Sequence, residues 1–305
     1  MAAVRGNFAD ELDPAVRTIF FDRYDQEPQM MPSIFNVLTT DRDKEIDSAT
    51  TGFGKLQQTS ELGALDYEDP VKMYKTTYTP LKYTKGFKVS QELYEDDQHN
   101  VISQMPKALA KSVIYTTEYW GASVLNNAFS TSYTSYGDAK PLCSTTHTRA
   151  DGGSSQSNAS STGVVLSDTN LETLRMQLDK HLNDKGEIVN FQANKLIIPV
   201  DLRRTAQILT QSTLRPGTAN NDVNTYEGVF SIQAWRYITS TTAWFLADSS
   251  NMLLNWFWRI RPEFKSDFNF DADAALYKVR ARFGFGWSDW RGLVGSKGDG
   301  QAYAS

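Results

Sequence analysis

The amino-acid sequence predicts an α+β fold that combines one long helix with long strands. Apolar residues recur near helical spacing from about His99 to Phe129, which indicates the longest helix of the chain. Strand and helix patterns alternate between Thr169 and Gln211. From Tyr277 to Trp287 every second residue is large and apolar or an alanine, which is typical of a strand buried on one face.

The first 45 residues are predicted to form an arm that borrows its core from elsewhere. Apolar clusters are mixed with charged residues there, and Pro14, Pro28 and Pro32 interrupt the segment. Because proline removes a helix hydrogen bond, we expect the helices of this arm to be short and broken.

Residues 46–89 are predicted to form a long β-hairpin. Glycines punctuate the stretch from Thr51 to Glu68, and a strand pattern follows in which one face carries Leu81, Tyr83, Phe87 and Val89. An extended chain rises about 3.3 Å per residue, so a ten-residue arm reaches about 33 Å, farther than the radius of a small domain. A hairpin with so little core of its own needs a neighbour on which to lie.

Two features mark the region around the long helix. Ser90 is expected to cap a short helix, and Pro106 should kink the long helix or mark its first turn. Residues 151–163 are rich in glycine and serine, so they are predicted to form a mobile surface loop. Asn158 and Ser160 match the glycosylation pattern within that loop, but without a secretion signal a chance match is favoured.

The second half of the chain is predicted to alternate helices and short strands. Thr169 and Glu172 match a capping box, and the helix that they begin carries a stripe of leucines. KLIIPV is typical of a buried strand, and Asp201 is expected to cap the helix after it. An exposed loop at 212–228 precedes short strands in VFSIQAWRYI and TAWFLA.

Composition and charge exclude several classes of protein. The 305 residues include one cysteine and three histidines, which excludes an internal disulfide and leaves little for a metal centre. No apolar run approaches the ~18 residues of a membrane span, and the acidic N-terminus does not match a signal peptide. We therefore expect neither membrane insertion nor export. The net charge of −5 disfavours tight, extensive binding to nucleic acid.

Cys143 and His147 are the residues with potential for nucleophilic catalysis. They lie four apart and could form a thiolate–imidazole pair or half of a metal site. The segment is a loop without a second ligand pair, so a packed cysteine beside a loop histidine is favoured.

Two acidic patterns also have simple structural explanations. Residues 267–271 copy the first ligand positions of a calcium loop, but the later glycine and glutamate are missing, so a strand is favoured. The acids between Asp41 and Asp47 alternate with basic residues, as on a solvated face. No cofactor motif is complete, and no cofactor is predicted.

Four stretches, in their order, resemble the major capsid proteins of tailed phages with the HK-ninety-seven-like fold, and in particular the major head subunits of Mu-like phages. These stretches are SQELYEDD with the helix ending in VLNNAF, then GDAKPLCSTTH, NKLIIPVDLRRTAQIL and FGFGWSDWRGLVGS. The resemblance implies an N-terminal arm at 1–45, an extended loop at 46–89, a peripheral domain with a spine helix at 90–165, an axial domain at 166–254, peripheral strands at 255–285, and a return to the axial domain with a C-terminal tail at 286–305.

The resemblance implies a structural protein rather than an enzyme. Its copies would self-assemble into hexamers and pentamers that form the icosahedral shell around phage double-stranded DNA. The extended loop would lie on a neighbouring subunit, with contacts from Lys55, Leu56, Leu62 and Leu65. The loop at 212–228 would approach the capsomer centre with Arg215, Asn220, Asn221 and Asn224.

The implied partners are further copies of the chain, a portal protein, a separate scaffold protein and a cement protein. Packaged DNA would be contacted weakly and non-specifically, and the protein would reside in the virion after assembly in the host cytoplasm. Two alternatives stay open. One is an encapsulin-type nanocompartment shell of the same fold, which neighbouring portal and terminase genes would argue against. The other is a hydrolase that uses Cys143 and His147.

Overall fold

The computed structural model describes residues 7–50, 53–65, 67–69, 72–96, 101–149, 152–215 and 222–303. The helices are α1 (Asn7–Gln26), α2 (Met31–Ile34), α3 (Gln91–Glu95), α4 (Val101–Asn126), α5 (Asp168–Asp179) and α6 (Arg203–Gln211). The strands are β1 (Asn36–Thr39), β2 (Glu45–Thr50), β3 (Lys72–Tyr78), β4 (Leu81–Ser90), β5 (Lys195–Ile198), β6 (Ser231–Ala234), β7 (Trp244–Ala247), β8 (Leu254–Asn269), β9 (Ala274–Trp287) and β10 (Leu293–Ser296).

The chain divides into two compact units, and each is built from three separate segments. The first unit comprises Met1–Glu45, Tyr78–Gly121 and Trp256–Phe285. The second unit comprises Ile46–Thr77, Ala122–Asn255 and Gly286–Ser305. Among the described residues, none of the helices has the length and apolar character needed to cross a membrane.

The first unit is a sheet with helices on one face. Its four strands lie in the order β1-β8-β9-β4, and β4 pairs with β9 in an antiparallel register from Leu81 opposite Phe283 to Ser90 opposite Ala274. The core lies between this sheet and helices α1 and α4, and it includes Val16, Phe20, Leu109, Val113, Phe264, Tyr277 and Val279. The predicted alternation of β9 and the predicted long helix are both confirmed.

The prediction of short, broken helices in the arm is wrong. Helix α1 runs for 20 residues with Pro14 inside it. Phe20 is fully buried, and its ring centroid lies 5.2 Å from that of Phe264 in β8. Packing of this apolar face offsets the hydrogen bond that proline removes. The core-facing residues of α1 are therefore covered within the chain rather than by a neighbour.

The second unit is a smaller mixed sheet with helices α5 and α6. Its strand order is β10-β7-β5-β6; β5 and β6 are parallel, and β7 pairs antiparallel with β5 and β10. The predicted leucine stripe of α5 is confirmed, because Leu171, Leu174 and Leu178 are all fully buried. They pack with residues of β5, β7 and α6 in one core.

Three local predictions from sequence are wrong. Helix α5 is capped by Ser167, whose Oγ accepts from the Asn170 N–H at 3.4 Å, and not by a box of Thr169 and Glu172. Asp201 lies inside a 3₁₀ turn at Val200–Leu202, so α6 begins without a side-chain cap. The strand predicted through residue 271 ends at Asn269, because a second 3₁₀ turn reverses the chain into β9.

Candidate functional site

The described residues between β2 and β3 form an exposed segment without helix or strand, which we call the apolar loop (residues 53–69). β2 and β3 pair as a two-stranded sheet at its base. Leu56 and Leu62 are 100% and 103% exposed, Leu65 is 71% exposed, and Phe53 and Tyr67 are exposed as well. Exposed apolar side chains this close in sequence form a larger apolar patch than single exposed residues scattered over a surface. The contact role predicted for this segment stays a prediction.

The tip of the apolar loop is a tight turn that presents Leu62. The Gly63 N–H donates to the Ser60 carbonyl at 2.9 Å, and Leu62 has a φ of 64°. A left-handed backbone is unfavourable for residues with a Cβ. The Leu62 side chain is fully exposed, so no packing within the chain offsets this strain. Backbone outliers of this kind are often associated with function.

Ion pairs fix the base of the apolar loop on the second unit. Lys55 Nζ lies 3.2 Å from Glu187 Oε2, and Lys185 Nζ lies 2.5 Å from Glu68 Oε1. The Gly54 N–H also donates to Glu68 Oε2 at 2.7 Å. The hydrogen bond from Lys185, together with that from Gly54, lowers the pKa of the Glu68 carboxyl. The loop is thus attached at both ends while its apolar side chains stay in solvent.

The second predicted contact region, residues 212–228, is only partly described. Asn220 and Asn221 lie outside the described residues. Arg215 pairs with Asp168 at the start of α5, with Nη2 and Oδ2 2.5 Å apart. Asn224 is buried, and its amide donates to the carbonyls of Leu209 and Ser212. The amide of Asn224 therefore closes the base of the loop, while the contact role of this region stays a prediction.

Cys143 and His147 do not form a catalytic pair. Cys143 is 2% exposed, and burial raises the pKa of its thiol. His147 is fully buried and uses both ring nitrogens elsewhere: Nδ1 lies 2.9 Å from Asp138 Oδ2, and Nε2 lies 3.0 Å from Asn158 Oδ1. The favoured structural explanation of a packed cysteine near a loop histidine therefore fits the geometry. Among the described residues, no group of three or more His, Cys, Asp or Glu side chains could hold a metal ion.

The prediction of a mobile loop at 151–163 is wrong at its centre. Asn158 is fully buried, and its amide nitrogen donates to the carbonyls of Leu142, Trp290 and Leu293. Its side chain is therefore not available for glycosylation. Small side chains suit a segment that passes between packed loops, and they also suit a flexible linker. Composition alone therefore does not distinguish the two.

The prediction of a solvated face for the acids between Asp41 and Asp47 is confirmed for Asp41 and Asp43, whose side chains are 100% and 83% exposed, and these acids also contact specific partners. Asp41 pairs with Arg259 at 3.3 Å and Asp43 with Arg282 at 3.8 Å in the first unit. In the second unit, Asp47 accepts a hydrogen bond from the Ser288 hydroxyl. Asp41 and Asp43 neutralise part of a basic sheet in the first unit that the sequence analysis did not single out. The alternating Lys and Arg residues of β9 were the available signal for it.

Comparison with known proteins identifies one family and one fold. The family model described as phage capsid protein matches residues 74–296, well over half of the chain. No curated protein matches the sequence significantly.

Three solved structures illustrate the similarity of fold. The capsid of a native GTA particle has a TM-score of 0.56 and 13% identity, with 88% of this chain and 90% of that chain covered. A chain of Microbacterium phage Oxtober96 has a TM-score of 0.54 and 9% identity, covering 88% and 91%. A virus-like particle from Pyrococcus furiosus has a TM-score of 0.53 and 10% identity, covering 92% and 97%.

Proposed function

The chain belongs to the phage capsid protein family and is a major capsid protein, and from this premise we propose that its copies assemble as hexamers and pentamers into the icosahedral shell of a phage head. The fold is the HK-ninety-seven-like capsid fold. We further propose that the chain is a major head subunit of the Mu-like type. The role is structural, without catalysis.

The apolar loop is the observation that supports assembly. A lone subunit leaves Leu56, Leu62 and Leu65 in water, where nothing offsets the cost of their hydration. Burying each of them on a neighbour contributes roughly 1.5 to 3 kcal/mol. The contact repeats at every subunit of a closed shell, so a modest gain per contact becomes a large driving force for the whole particle.

Replacing Leu56, Leu62 and Leu65 with Ser tests this role of the loop. We expect a folded subunit that no longer forms particles, since these side chains pack on nothing within the chain. Far-ultraviolet circular dichroism reports the fold, and sedimentation with electron microscopy reports the particle. The matched control replaces three exposed polar residues of the same loop, Gln57, Gln58 and Thr59, with Ser.

Three results would contradict the proposal. Normal particles from the triple leucine variant would show that the apolar loop is not an assembly contact. An unfolded variant would show that the leucines belong to the subunit's own core. Loss of assembly in the polar control would mean that the loop backbone, and not its apolar surface, is required.

The contents of the particle distinguish the two shell functions. We propose that the particle holds phage double-stranded DNA, contacted weakly and non-specifically, and that a portal, a separate scaffold and a cement protein join it in the host cytoplasm. The similarity to a virus-like particle keeps the nanocompartment function as the second candidate. Particles purified from the natural source that contain protein cargo and no DNA would favour that second function.

A further inference from the structure

A cavity lies in the first unit between helix α4 and strands β4 and β9. Its volume is about 200 Å³, and its lining includes Tyr83, Lys85, Ser112, Val113, Val279 and Phe283. A cavity of about 150 Å³ is large enough to hold a benzene molecule. The space between α4 and the sheet therefore accommodates one aromatic ring with a short substituent.

One wall of the cavity is apolar and partly aromatic. Val113, Val279 and Phe283 are buried, so their side chains belong to the interior of the first unit. The Tyr83 ring stacks on the Phe283 ring, with centroids 4.3 Å apart and an angle of 7° between the planes. Aromatic rings pack favourably on one another in offset-stacked or edge-to-face arrangements. This wall therefore suits a planar apolar ring.

Lys85 places a positive charge on the apolar side of the sheet. Residues two apart on a strand share a face, so Lys85 lies on the same face as Phe87 and Val89, which pack in the core of the first unit. Lys85 is also directly opposite the buried Val279 in the β4–β9 pair. In the described part of the chain Lys85 has no ion-pair or hydrogen-bond partner, and neither aspartate nor glutamate lines the cavity. The exposed Lys85 therefore gives the rim of the cavity a charge without a counter-charge.

Helix α4 adds a hydrogen-bond donor to the same cavity. Ser112, Thr116 and Thr117 all line it from this helix. The Thr116 hydroxyl donates to the Ser112 carbonyl at 2.7 Å, and the Thr117 hydroxyl donates to another carbonyl of the helix at 2.9 Å. The Ser112 hydroxyl has no such partner among the described residues. Lys85 and Ser112 therefore offer two free donors at one cavity.

We propose that this cavity binds a small aromatic carboxylate, both in the lone subunit and in the particle. The ring packs against Val113, Val279 and Phe283, and the carboxylate accepts hydrogen bonds from Lys85 Nζ and Ser112 Oγ. An ionised carboxylate only accepts hydrogen bonds, which matches two donors, and one lysine balances its single charge. A phosphate dianion would leave one charge unbalanced. The ligand contacts both α4 and β4, so it stabilises the folded first unit to which it binds.

Protection of the sheet edge explains only the lysine. β4 is an edge strand in the order β1-β8-β9-β4, and an inward-pointing charge on an edge strand discourages pairing with another chain. That role requires neither the aromatic wall nor the free hydroxyl of Ser112. Lys82 and Lys88 also place charges on the same strand already. A carboxylate ligand accounts for the aromatic wall, the lysine and the hydroxyl together.

A pair of matched compounds tests the site. Saturation-transfer NMR measures binding of 3-phenylpropanoate and of its neutral counterpart 3-phenylpropan-1-ol to dilute subunits and to particles. We expect a dissociation constant of about 1 mM for the carboxylate and about tenfold weaker binding of the alcohol, which carries no charge to pair with Lys85. Lys85→Met should weaken binding of the carboxylate by about tenfold and change binding of the alcohol by less than about twofold. Lys82→Met is the matched control, because residue 82 lies on the opposite face of β4, and it should bind both compounds like the wild type.

A second variant tests the cavity itself. Ser112→Phe should fill the space and abolish binding of both compounds, and circular dichroism of each variant checks the fold. If Ser112→Phe does not fold, Ser112→Ala replaces it and should weaken binding of the carboxylate but not of the alcohol.

The proposal is overturned if the wild type binds neither compound, if the alcohol binds as tightly as the carboxylate, or if Lys82→Met weakens binding as much as Lys85→Met. Binding to dilute subunits but not to particles would show that a neighbouring copy covers the cavity in the shell, which also overturns the proposal. None of these results depends on the leucine variants of the apolar loop, so the proposed function is tested separately.

Discussion

Asn158 shows how one polar residue organises the interior of the second unit. Its amide oxygen accepts from the Ser144 N–H and faces His147 Nε2, while its amide nitrogen donates to three carbonyls. The His147 ring stacks on Trp290 with centroids 4.1 Å apart. Because every hydrogen-bonding atom of the Asn158 side chain is used, this buried polar group stabilises the packing of three loops instead of weakening it.

His181 lies beside this network, and its titration predicts sensitivity to acid. Burial lowers the pKa of His181 to about 4, and repulsion from Arg291 adds to the effect, although the ring also hydrogen-bonds the Ser157 carbonyl at 3.1 Å. An unfolded histidine titrates near 6.5. Below that pH the unfolded chain binds a proton that the folded chain does not, so the free energy of unfolding falls as pH falls towards 4. We expect a loss of about 2 kcal/mol at pH 5 from this residue.

His181→Gln isolates this contribution, because an amide N–H can still donate to Ser157 but does not titrate. Denaturant unfolding at pH 7 and pH 5, at concentrations below assembly, should show a smaller loss in the variant by about 2 kcal/mol. Equal losses in both proteins would mean that another group controls the acid sensitivity.

At the scale of elements, the sequence patterns that depend on burial alone predicted the structure well. The alternation of β9 and the leucine stripe of α5 directly report which face meets a core. Predictions that depended on a local signal failed where distant packing decided the outcome. Pro14 does not break α1 because Phe20 anchors that helix against β8, and the serine-rich loop is ordered by Asn158. The exposure of Leu56 and Leu62 follows from sequence, whereas the basic face of the first unit's sheet requires the β4–β9 register.

The cap of α5 provides a direct test of element geometry. Ser167→Ala removes the oxygen that accepts from Asn170 N–H and should lower the free energy of unfolding by about 1 kcal/mol. Thr169→Ala is the matched control inside the first turn and should cost less than about 0.5 kcal/mol. Urea unfolding below the assembly concentration measures both. If Thr169→Ala lowered the free energy of unfolding more than Ser167→Ala does, the capping box predicted from sequence would be correct after all.

At the scale of the whole molecule, we expect the stability of the subunit and the stability of the shell to depend on different residues. The cores of the two units use side chains that are already buried, such as Phe20, Leu174 and Trp244. The leucines of the apolar loop are exposed and add nothing to either core. If they act as we propose, they stabilise the protein only where copies meet, and substitutions in the loop should separate folding from assembly.

Leu62→Gly should move the two stabilities in opposite directions. Glycine adopts the left-handed backbone freely, which removes about 1 kcal/mol of strain from the subunit. The greater freedom of glycine in the unfolded chain offsets part of that gain, so the free energy of unfolding of the dilute subunit should stay equal or rise slightly. The shell, however, should lose the roughly 1.5 to 3 kcal/mol that burial of Leu62 contributes at each contact.

Denaturant unfolding below the assembly concentration and sedimentation above it measure the two effects on one variant. Leu65→Ala is the control that removes exposed apolar surface without a change of backbone strain, and it should weaken assembly while leaving the subunit unchanged. A Leu62→Gly subunit that is destabilised by more than about 1 kcal/mol, or one that assembles like the wild type, would show that the leucine is held in its strained conformation for the fold of the subunit and not for the shell.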